Sequence, residues 1–234
     1  TLVTSLLAIL IAAPVGVAMA LFMTELAPPR LARMASIITA PLAAIPSVVY
    51  GLWGFFILAP ALRTYFATPV SKAVGGWIPF LKGPAYGVGF FTAALVLSLM
   101  ILPTITSIAR EVFKSIPRAQ REAALALGAT RWEMTRMSVL GPSMGGIAAA
   151  VLLALGRALG ETMAVTMVIG NSGQINLSIF APGQTMASLI ANEYAEAADD
   201  IHLAALAEVG LTLFFVTFVV QSLGRAVLKR YTHK

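Results

Sequence analysis

The chain alternates between long apolar stretches and shorter segments that carry most of its charges. Five stretches are about 20 residues or longer, enough in helical form to cross a hydrocarbon layer of about 30 Å. They cover about residues 2–23, 36–58, 87–107, 143–169 and 203–223. Pro14, Pro46 and Pro103 fall inside the first three, where a membrane helix can kink and satisfy its freed backbone groups through its neighbours. The pattern predicts an all-α integral membrane protein in which residues 1–234 form a single transmembrane domain.

The composition excludes several classes of protein. The chain is 59% apolar and 11% charged, with a mean hydropathy of +0.87, whereas a soluble domain carries about 25% charged residues. Cysteine is absent, which removes disulfides, thiolate metal ligands and cysteine nucleophiles. The ATP-binding pattern Gly-x-x-x-x-Gly-Lys-Ser/Thr does not occur. We therefore expect a chain that is not an enzyme and that holds no metal, no cofactor and no ATP of its own.

Basic residues indicate which segments face the cytoplasm. The net charge of +6 would suggest nucleic acid in a soluble chain, but in a membrane protein it reports loop orientation, so we expect no nucleic-acid partner. Twelve of the sixteen Lys and Arg residues lie in three segments, at 25–35, 108–142 and 224–234. Only three Lys and Arg residues lie in the alternate segments, 59–86 and 170–202. Segment 59–86 is rich in Pro and Gly and is predicted to be an irregular outer loop. This split predicts that Thr1 lies outside, that Lys234 lies inside and that a further helix precedes Thr1.

The cytoplasmic segment 108–142 has the pattern of two short helices. Its first part is rich in alanine, leucine and charged residues. Gly128 is typical of a residue that ends a helix, and Thr130 is typical of the N-cap of the next one. The sequence therefore predicts a helix, a turn at Gly128 and a second helix that leads into the fourth apolar stretch.

A family resemblance enters at this segment. Glu122, Ala123 and Ala124, followed after three residues by Gly128, resemble the EAA loop of binding-protein-dependent ABC importer permeases. The resemblance implies a type I importer permease fold (MetI-like), with five membrane helices and a coupling helix that docks on a cytoplasmic ATPase subunit. It places those four residues at the ATPase contact. The end of the pattern differs, because Ser138 stands where the family has Ile, and Pro142 comes one place late.

Two opposite charges occur within the fourth apolar stretch, at Arg157 and Glu161. Each costs about 2.5 to 3.5 kcal/mol at the centre of a membrane helix, so each needs compensation. On a continuous helix the two would share a face and neutralise one another, and Gly156 and Gly160 would form a strip of small residues for helix packing. The pair could thus be purely structural. We favour a substrate pathway, because an arginine inside a membrane commonly marks a route for anions.

A more specific resemblance covers nearly the whole chain. The stretch around Arg157, together with residues 43–54 (AAIPSVVYGLWG) and 24–28 (TELAP), closely resembles phosphate importer permeases of the PstC type. Met163-Ala164-Val165 after Gly-Glu-Thr favours this type over its sister permease. The resemblance implies half of the pathway of an ATP-driven phosphate importer in the bacterial inner membrane. It also implies the partners: a PstA-type sister permease, two PstB-type ATPase subunits, which bind the ATP, and a periplasmic PstS-type phosphate-binding protein.

Two alternatives remain at this point. The first is an ABC importer permease for another oxyanion or small solute, which the EAA loop alone does not exclude. The second, from a different class, is an intramembrane serine hydrolase, because Gly141-Pro142-Ser143-Met144-Gly145 fits the nucleophile pattern Gly-x-Ser-x-Gly. That pattern needs a histidine close to Ser143. His202 and His233, the two histidines of the chain, lie at the outer end of the last stretch and in the inner tail.

Overall fold

The computed structural model describes residues 1–74 and 78–232, and regular structure in these ranges is helical apart from one bridge between Gly170 and Gly183. The helices are α1 (Leu2–Leu21), α2 (Pro29–Ala44), α3 (Ser47–Trp53), α4 (Ala59–Leu62), α5 (Thr68–Val74), α6 (Phe90–Ser115), α7 (Arg118–Ala126), α8 (Arg131–Met134), α9 (Gly141–Leu159), α10 (Met163–Ile169), α11 (Met186–Glu193) and α12 (Asp200–Thr232). Five continuous helical runs in this part of the chain are long and apolar enough to cross a membrane: Leu2–Leu26, Ser47–Ala73, Phe90–Ser115, Arg131–Leu159 and Asp200–Lys229. The prediction of an all-α fold with five membrane helices is confirmed.

Wide helical turns precede four of the prolines. These π-helical turns are Phe22–Leu26, Gly54–Leu58, Arg63–Ala67 and Thr135–Leu140, and they end two residues before Pro28, Pro60, Pro69 and Pro142. A proline has no N–H, and its ring clashes with the carbonyl four residues earlier in an α-helix. A wider turn moves that carbonyl away from the ring. The helix that starts at Ser47 therefore continues through two prolines to Val74, where we predicted an irregular loop from residue 59.

The predicted second span, 36–58, is divided in the structure. Helix α2 ends at Ala44, and Ile45 is extended (φ −64°, ψ 129°) before Pro46. A residue that precedes proline is pushed out of the helical region by the proline ring, which explains the break. Helix α3 then starts at Ser47 as the beginning of a new run. The prediction of one helix across 36–58 is therefore wrong.

The predicted fourth span, 143–169, is also divided. Helix α9 ends at Leu159, Gly160 to Thr162 lie outside regular structure, and α10 begins at Met163. The short helix α10 ends at Gly170, whose positive φ of 88° suits glycine. At its other end the run begins earlier than predicted, because α8 and a π-helical turn lead without interruption into α9.

Helix α6 lies at the centre of the core. It packs against α1, α9 and α10, and Leu97, Ile101 and Ile105 on it are fully buried. The approach of α1 depends on small residues, since a side chain at Gly16 would lie 3.0 Å from Ile105 Cγ2. Helix α12, in contrast, packs mainly along α9 and α11 at the edge. The two divided helices meet at this core through the contact of α3 with α10.

Candidate functional site

Arg157 lies in the last turn of α9, immediately before the break in the fourth membrane helix. Its side chain is exposed, and the structure records no hydrogen bond or ion pair for it within the described residues. The carboxyl end of a helix carries a partial negative charge, which favours a cation in its last turn. The end of α9 therefore compensates Arg157 partly without occupying its hydrogen-bond donors.

Glu161 lies on the other side of the break, just before the N-cap Thr162 of α10. Its Oε1 accepts a hydrogen bond from the backbone N–H of Ala164 at 3.3 Å. The first N–H groups of a helix have no intrahelical partner, and the amino end carries a partial positive charge, so a carboxylate is favoured there. Glu161 is thus bound to the start of α10.

The break overturns two expectations about this stretch. Arg157 and Glu161 do not share the face of one helix, and no ion pair joins them in the part of the chain that the structure describes. Within the described residues, Gly160 does not form a packing strip with Gly156, because the nearest atom to a side chain there would be the carbonyl oxygen of Gly156 itself, at 3.8 Å. Both predictions assumed a continuous helix.

Gly156 does allow a close approach by α12. A side chain at this position would collide with Gln221 Nε2, which donates a hydrogen bond to the Leu152 carbonyl at 3.0 Å. A side-chain amide in a membrane helix needs a hydrogen-bond partner, and the absence of a side chain at Gly156 lets Gln221 reach this carbonyl of α9. Sequence reasoning named Gly156 but missed Gln221, which is 69 residues from the Leu152 carbonyl that it binds.

Tyr50 is a further residue of this region that sequence reasoning did not single out. It is buried in α3, and its hydroxyl donates to the Leu42 carbonyl of α2 at 2.8 Å, across the break at Ile45 and Pro46. Arg157 lies close enough to the phenol to interact with it electrostatically. The two breaks are therefore neighbours, since α3 packs against α10 and the cation of one break acts on the phenol beside the other. Tyr50 lies in the stretch 43–54 that carries the family resemblance, and this position was the one sign of its importance in the sequence.

Helix α7 and the turn after it carry the predicted coupling residues. Glu122 and Ala123 are exposed, whereas Ala124 is half-buried against a cluster that includes Phe113 and Val139. Gly128 has a φ of 88°, and the N–H of Ala129 donates to the Ala124 carbonyl at 3.2 Å, which is the Schellman end of a helix. Thr130 then caps α8 in a reciprocal pair with Glu133. The predicted helix end and new cap are both present.

The surface around this turn is unusually apolar for an exposed loop. Leu127 is 89% exposed and Trp132 is 61% exposed. Large apolar side chains grouped with small ones at an exposed turn are typical of a docking surface for another protein. Glu122 and Ala123 lie on the helix that precedes this turn.

An ion pair that the sequence did not suggest holds α7 to the first membrane helix. Arg121 Nη2 lies 2.9 Å from Glu25 Oε1, and the two side chains are only 18% and 7% exposed. The same guanidinium donates to the carbonyls of Ile116 at 2.6 Å and Phe113 at 2.8 Å. Glu25 and Arg121 are 96 residues apart, so no local spacing signal could have connected them.

The geometry does not support a serine hydrolase. Ser143 is buried in the first turn of α9, and its Oγ has no hydrogen-bond partner among the described residues. His202 Nε2 lies 3.1 Å from Glu193 Oε2 instead, and His233 lies outside the described residues. A serine nucleophile needs a base within hydrogen-bond reach, and none adjoins Ser143 in this part of the chain.

Comparisons with known proteins agree with this architecture. The family model described as "Binding-protein-dependent transport system inner membrane component" matches residues 12–233. The chain is 47% identical to the phosphate transport system permease protein PstC of Mesorhizobium japonicum, over 98% of this chain and 71% of that protein. It is 44% identical to PstC of Haemophilus influenzae, over 98% of this chain and 74% of that protein. The chain belongs to the PstC-type permeases of this transport family.

Solved structures support the same fold. Two inward-facing structures of the MetNI methionine ABC transporter superpose on the chain with TM-scores of 0.67 and 0.65, at 17% identity, covering 98% of this chain and 89% and 90% of theirs. The type I, MetI-like permease fold is therefore confirmed. This permease is a transport component of the inner membrane and not an enzyme. Its transport system includes an ATPase and a substrate-binding partner.

Proposed function

We propose that this permease forms one half of the translocation pathway of an ATP-driven phosphate importer, with Arg157 meeting the anion at the break in the fourth membrane helix. The observation that carries the proposal is the 47% identity with a PstC permease over 98% of the chain. The break adds a chemical reason, because it holds an arginine whose donors are not occupied within the described residues.

The surroundings of Arg157 support a pathway. An exposed arginine on a membrane helix cannot face hydrocarbon at low cost, so this face must be covered by water or by another protein. Leu153, one turn before Arg157 on α9, and Met163, at the start of α10, are also 60% and 53% exposed. A sister permease across this face would enclose a cavity between the two subunits, with the cation on its wall. Because arginine always remains protonated, the charge persists at every pH of the cell.

Glu161 has a secondary role in this proposal. Its carboxylate has remaining acceptor capacity beyond the bond to Ala164. A protonated phosphate can donate a hydrogen bond to such an oxygen, whereas fully ionised sulfate has no proton to give and is repelled. Glu161 would thus favour phosphate over sulfate. This role concerns selectivity, and Arg157 supplies the attraction.

The implied assembly contains a PstA-type sister permease, two PstB-type ATPases that bind ATP, and a PstS-type phosphate-binding protein. The exposed residues Glu122, Ala123 and Leu127 would contact an ATPase, with Ala124 and Gly128 shaping that surface. Closure of the ATPases on ATP would displace α7, and the packed helices would carry this motion to the break. The result is alternating access between two packed states.

Uptake by the assembled importer in proteoliposomes, with ATP inside and the binding protein outside, tests this function. We expect uptake of labelled phosphate and at least about tenfold less uptake of labelled sulfate, a preference of about 1.4 kcal/mol. The variant Glu161→Gln should retain phosphate uptake and show a smaller preference for phosphate over sulfate. Equal transport of both anions by the unmodified importer would favour the broader reading, an importer of oxyanions in general.

A further inference from the structure

We propose that the buried ion pair between Glu25 and Arg121 is the joint through which α7 moves the first membrane helix during transport. This inference rests on the proposed function, because it needs α7 to be the element that an ATPase displaces. It concerns how that displacement enters the membrane domain. Neither residue belongs to the proposed ATPase contact, formed by Glu122, Ala123 and Leu127, or to the break at 160–162.

Helix α7 is held to the rest of the chain by few interactions. None of its residues is fully buried. Ala124 makes a half-buried apolar contact with the cluster that contains Phe113 and Val139. Arg121 makes the charged contact, with Glu25 at 2.9 Å. An amphipathic helix of nine residues with so little buried surface would otherwise slide over its neighbours when pushed.

Arg121 connects three elements at one point. Its guanidinium contacts Glu25 in the π-helical turn Phe22–Leu26 at the end of the first membrane helix. It also donates to the carbonyls of Phe113 and Ile116 at the end of α6. The planar guanidinium has five N–H donors in a fixed fork, which allows several rigid contacts at once, and lysine cannot reproduce them. Motion of Arg121 therefore reaches α1 and α6 together.

The burial of Glu25 makes this contact hard to replace. With 7% exposure of its side chain, the carboxylate lacks ready access to water, and an isolated buried charge is strongly unfavourable. Glu25 must consequently follow Arg121 when α7 moves. The next residue along α7, Glu122, is exposed. Consecutive residues thus serve opposite partners: Arg121 contacts the membrane helices, and Glu122 is free for the ATPase.

A second ion pair close by provides a matched control. Lys114 and Glu111 lie 2.7 Å apart, but they are three residues apart on the same helix, and their side chains are 47% and 70% exposed. This pair joins no separate elements, and exposed pairs of this kind contribute little. Neutralising Glu111 removes a charge close by and leaves Glu25, Arg121 and the hydrogen bonds of Arg121 in place.

The test compares phosphate transported with ATP hydrolysed in proteoliposomes that contain the whole importer. For Glu25→Gln and Arg121→Lys we expect ATP hydrolysis stimulated by the binding protein to stay within about twofold of wild type and transport per ATP to fall at least about fivefold. Glu111→Gln should leave both unchanged. The double variant Glu25→Gln with Arg121→Lys should transport no less per ATP than Arg121→Lys alone, because the Arg121 change already disrupts the contact with Glu25.

The milder variant Glu25→Asp keeps the charge and shortens the reach, so it should assemble normally and show a partial loss of coupling. Transport per ATP at the wild-type value in Glu25→Asp and Arg121→Lys would contradict the proposal that this ion pair carries the motion of α7 to the first membrane helix. A wild-type importer that moves no phosphate would instead overturn the proposed function, so the two failures are distinguishable.

Discussion

The break in the fourth membrane helix and the attachment of α7 use opposite charges in contrasting ways. Arg157 and Glu161 are four residues apart in sequence and do not pair, because each is favoured by a different helix end. Glu25 and Arg121 are 96 residues apart and form a buried ion pair at 2.9 Å. An unpaired cation can meet a passing anion, whereas a paired one fixes two elements to one another. For these four charges, proximity in sequence did not decide which ones interact; the helix ends and the packing of separate elements did.

The largest expected effect follows from removing the free cation. Arg157→Gln should lower phosphate uptake by about tenfold or more, since the attraction that the site offers to an anion disappears. Expression and assembly with the partner subunits should stay near normal, because Arg157 holds no other described side chain. Uptake per assembled importer measures this. Arg225→Gln is the matched control, as an exposed arginine on α12, and a comparable loss there would remove the distinction.

The next effect concerns the coupling surface. Ala123→Glu should leave membrane insertion intact and reduce transport several-fold, because Ala123 is exposed on α7 and a bulky charge there obstructs ATPase docking. Ala123 is a sharper probe than Ala124, whose half-buried side chain also belongs to the permease core. Co-purification of the ATPase with the permease provides the measurement. Ala198→Glu, the same change in the predicted outer loop, should have no effect, and unimpaired docking of the Ala123 variant would contradict the assignment.

Alanine substitutions at the two glycines beside the break should differ in their effect on the free energy of unfolding. Gly156→Ala should lower the free energy of unfolding by about 1 to 3 kcal/mol, because the new methyl group displaces Gln221 from the Leu152 carbonyl. Gly160→Ala should change it by less than about 0.5 kcal/mol, since no neighbouring element among the described residues approaches that position. Thermal unfolding of the purified permease in detergent compares them. Equal destabilisation would indicate that Gly160 does pack against another helix.

The smallest perturbation tests which side of the membrane each region faces. Residues 1–234 contain no cysteine, so a single cysteine introduced in this range can be labelled without background from it. Glu196→Cys should react with an impermeant maleimide from outside intact cells, and Ala126→Cys only after the membrane is opened. Both positions are exposed, so each thiol is accessible to the reagent from its own side of the membrane. Labelling of the first position only from inside would invert the predicted topology.

Much of the fold followed from the apolar pattern, while the breaks did not. Five apolar stretches were enough to predict five membrane helices, because length and hydropathy dominate insertion. The break at Ile45 was accessible in principle, since Pro46 constrains the residue before it, but the prediction allowed only a kink. The run from Ser47 to Ala73 was missed because Pro60 and Pro69 resembled loop residues. Wide turns that accommodate a proline depend on backbone adjustments that no sequence spacing reveals.

The candidate site was predictable in its residues and not in its arrangement. Arg157 and Glu161 stood out because charges are costly in an apolar stretch, yet their separate surroundings depend on the helix ending at Leu159. The sequence Gly160-Glu161-Thr162 carried a signal of that break, a glycine followed by a possible N-cap. The prediction followed the apolar pattern instead and took 143–169 as one continuous helix. Arg121 was counted only as one cytoplasmic charge, because nothing local tied it to Glu25.

The charge-swapped variant Arg157→Glu with Glu161→Arg tests the central claim most directly, through phosphate uptake per assembled importer. If the two residues act separately, the swap removes the cation from the end of α9 and places charges of the wrong sign at both helix ends. We expect uptake no higher than that of Arg157→Gln. The neutral variant Arg157→Gln with Glu161→Gln, which avoids the unfavourable charges, should be equally inactive. Uptake restored towards the wild-type rate by either double variant would show that the residues are a structural pair, and would contradict the assignment of Arg157 to the phosphate pathway.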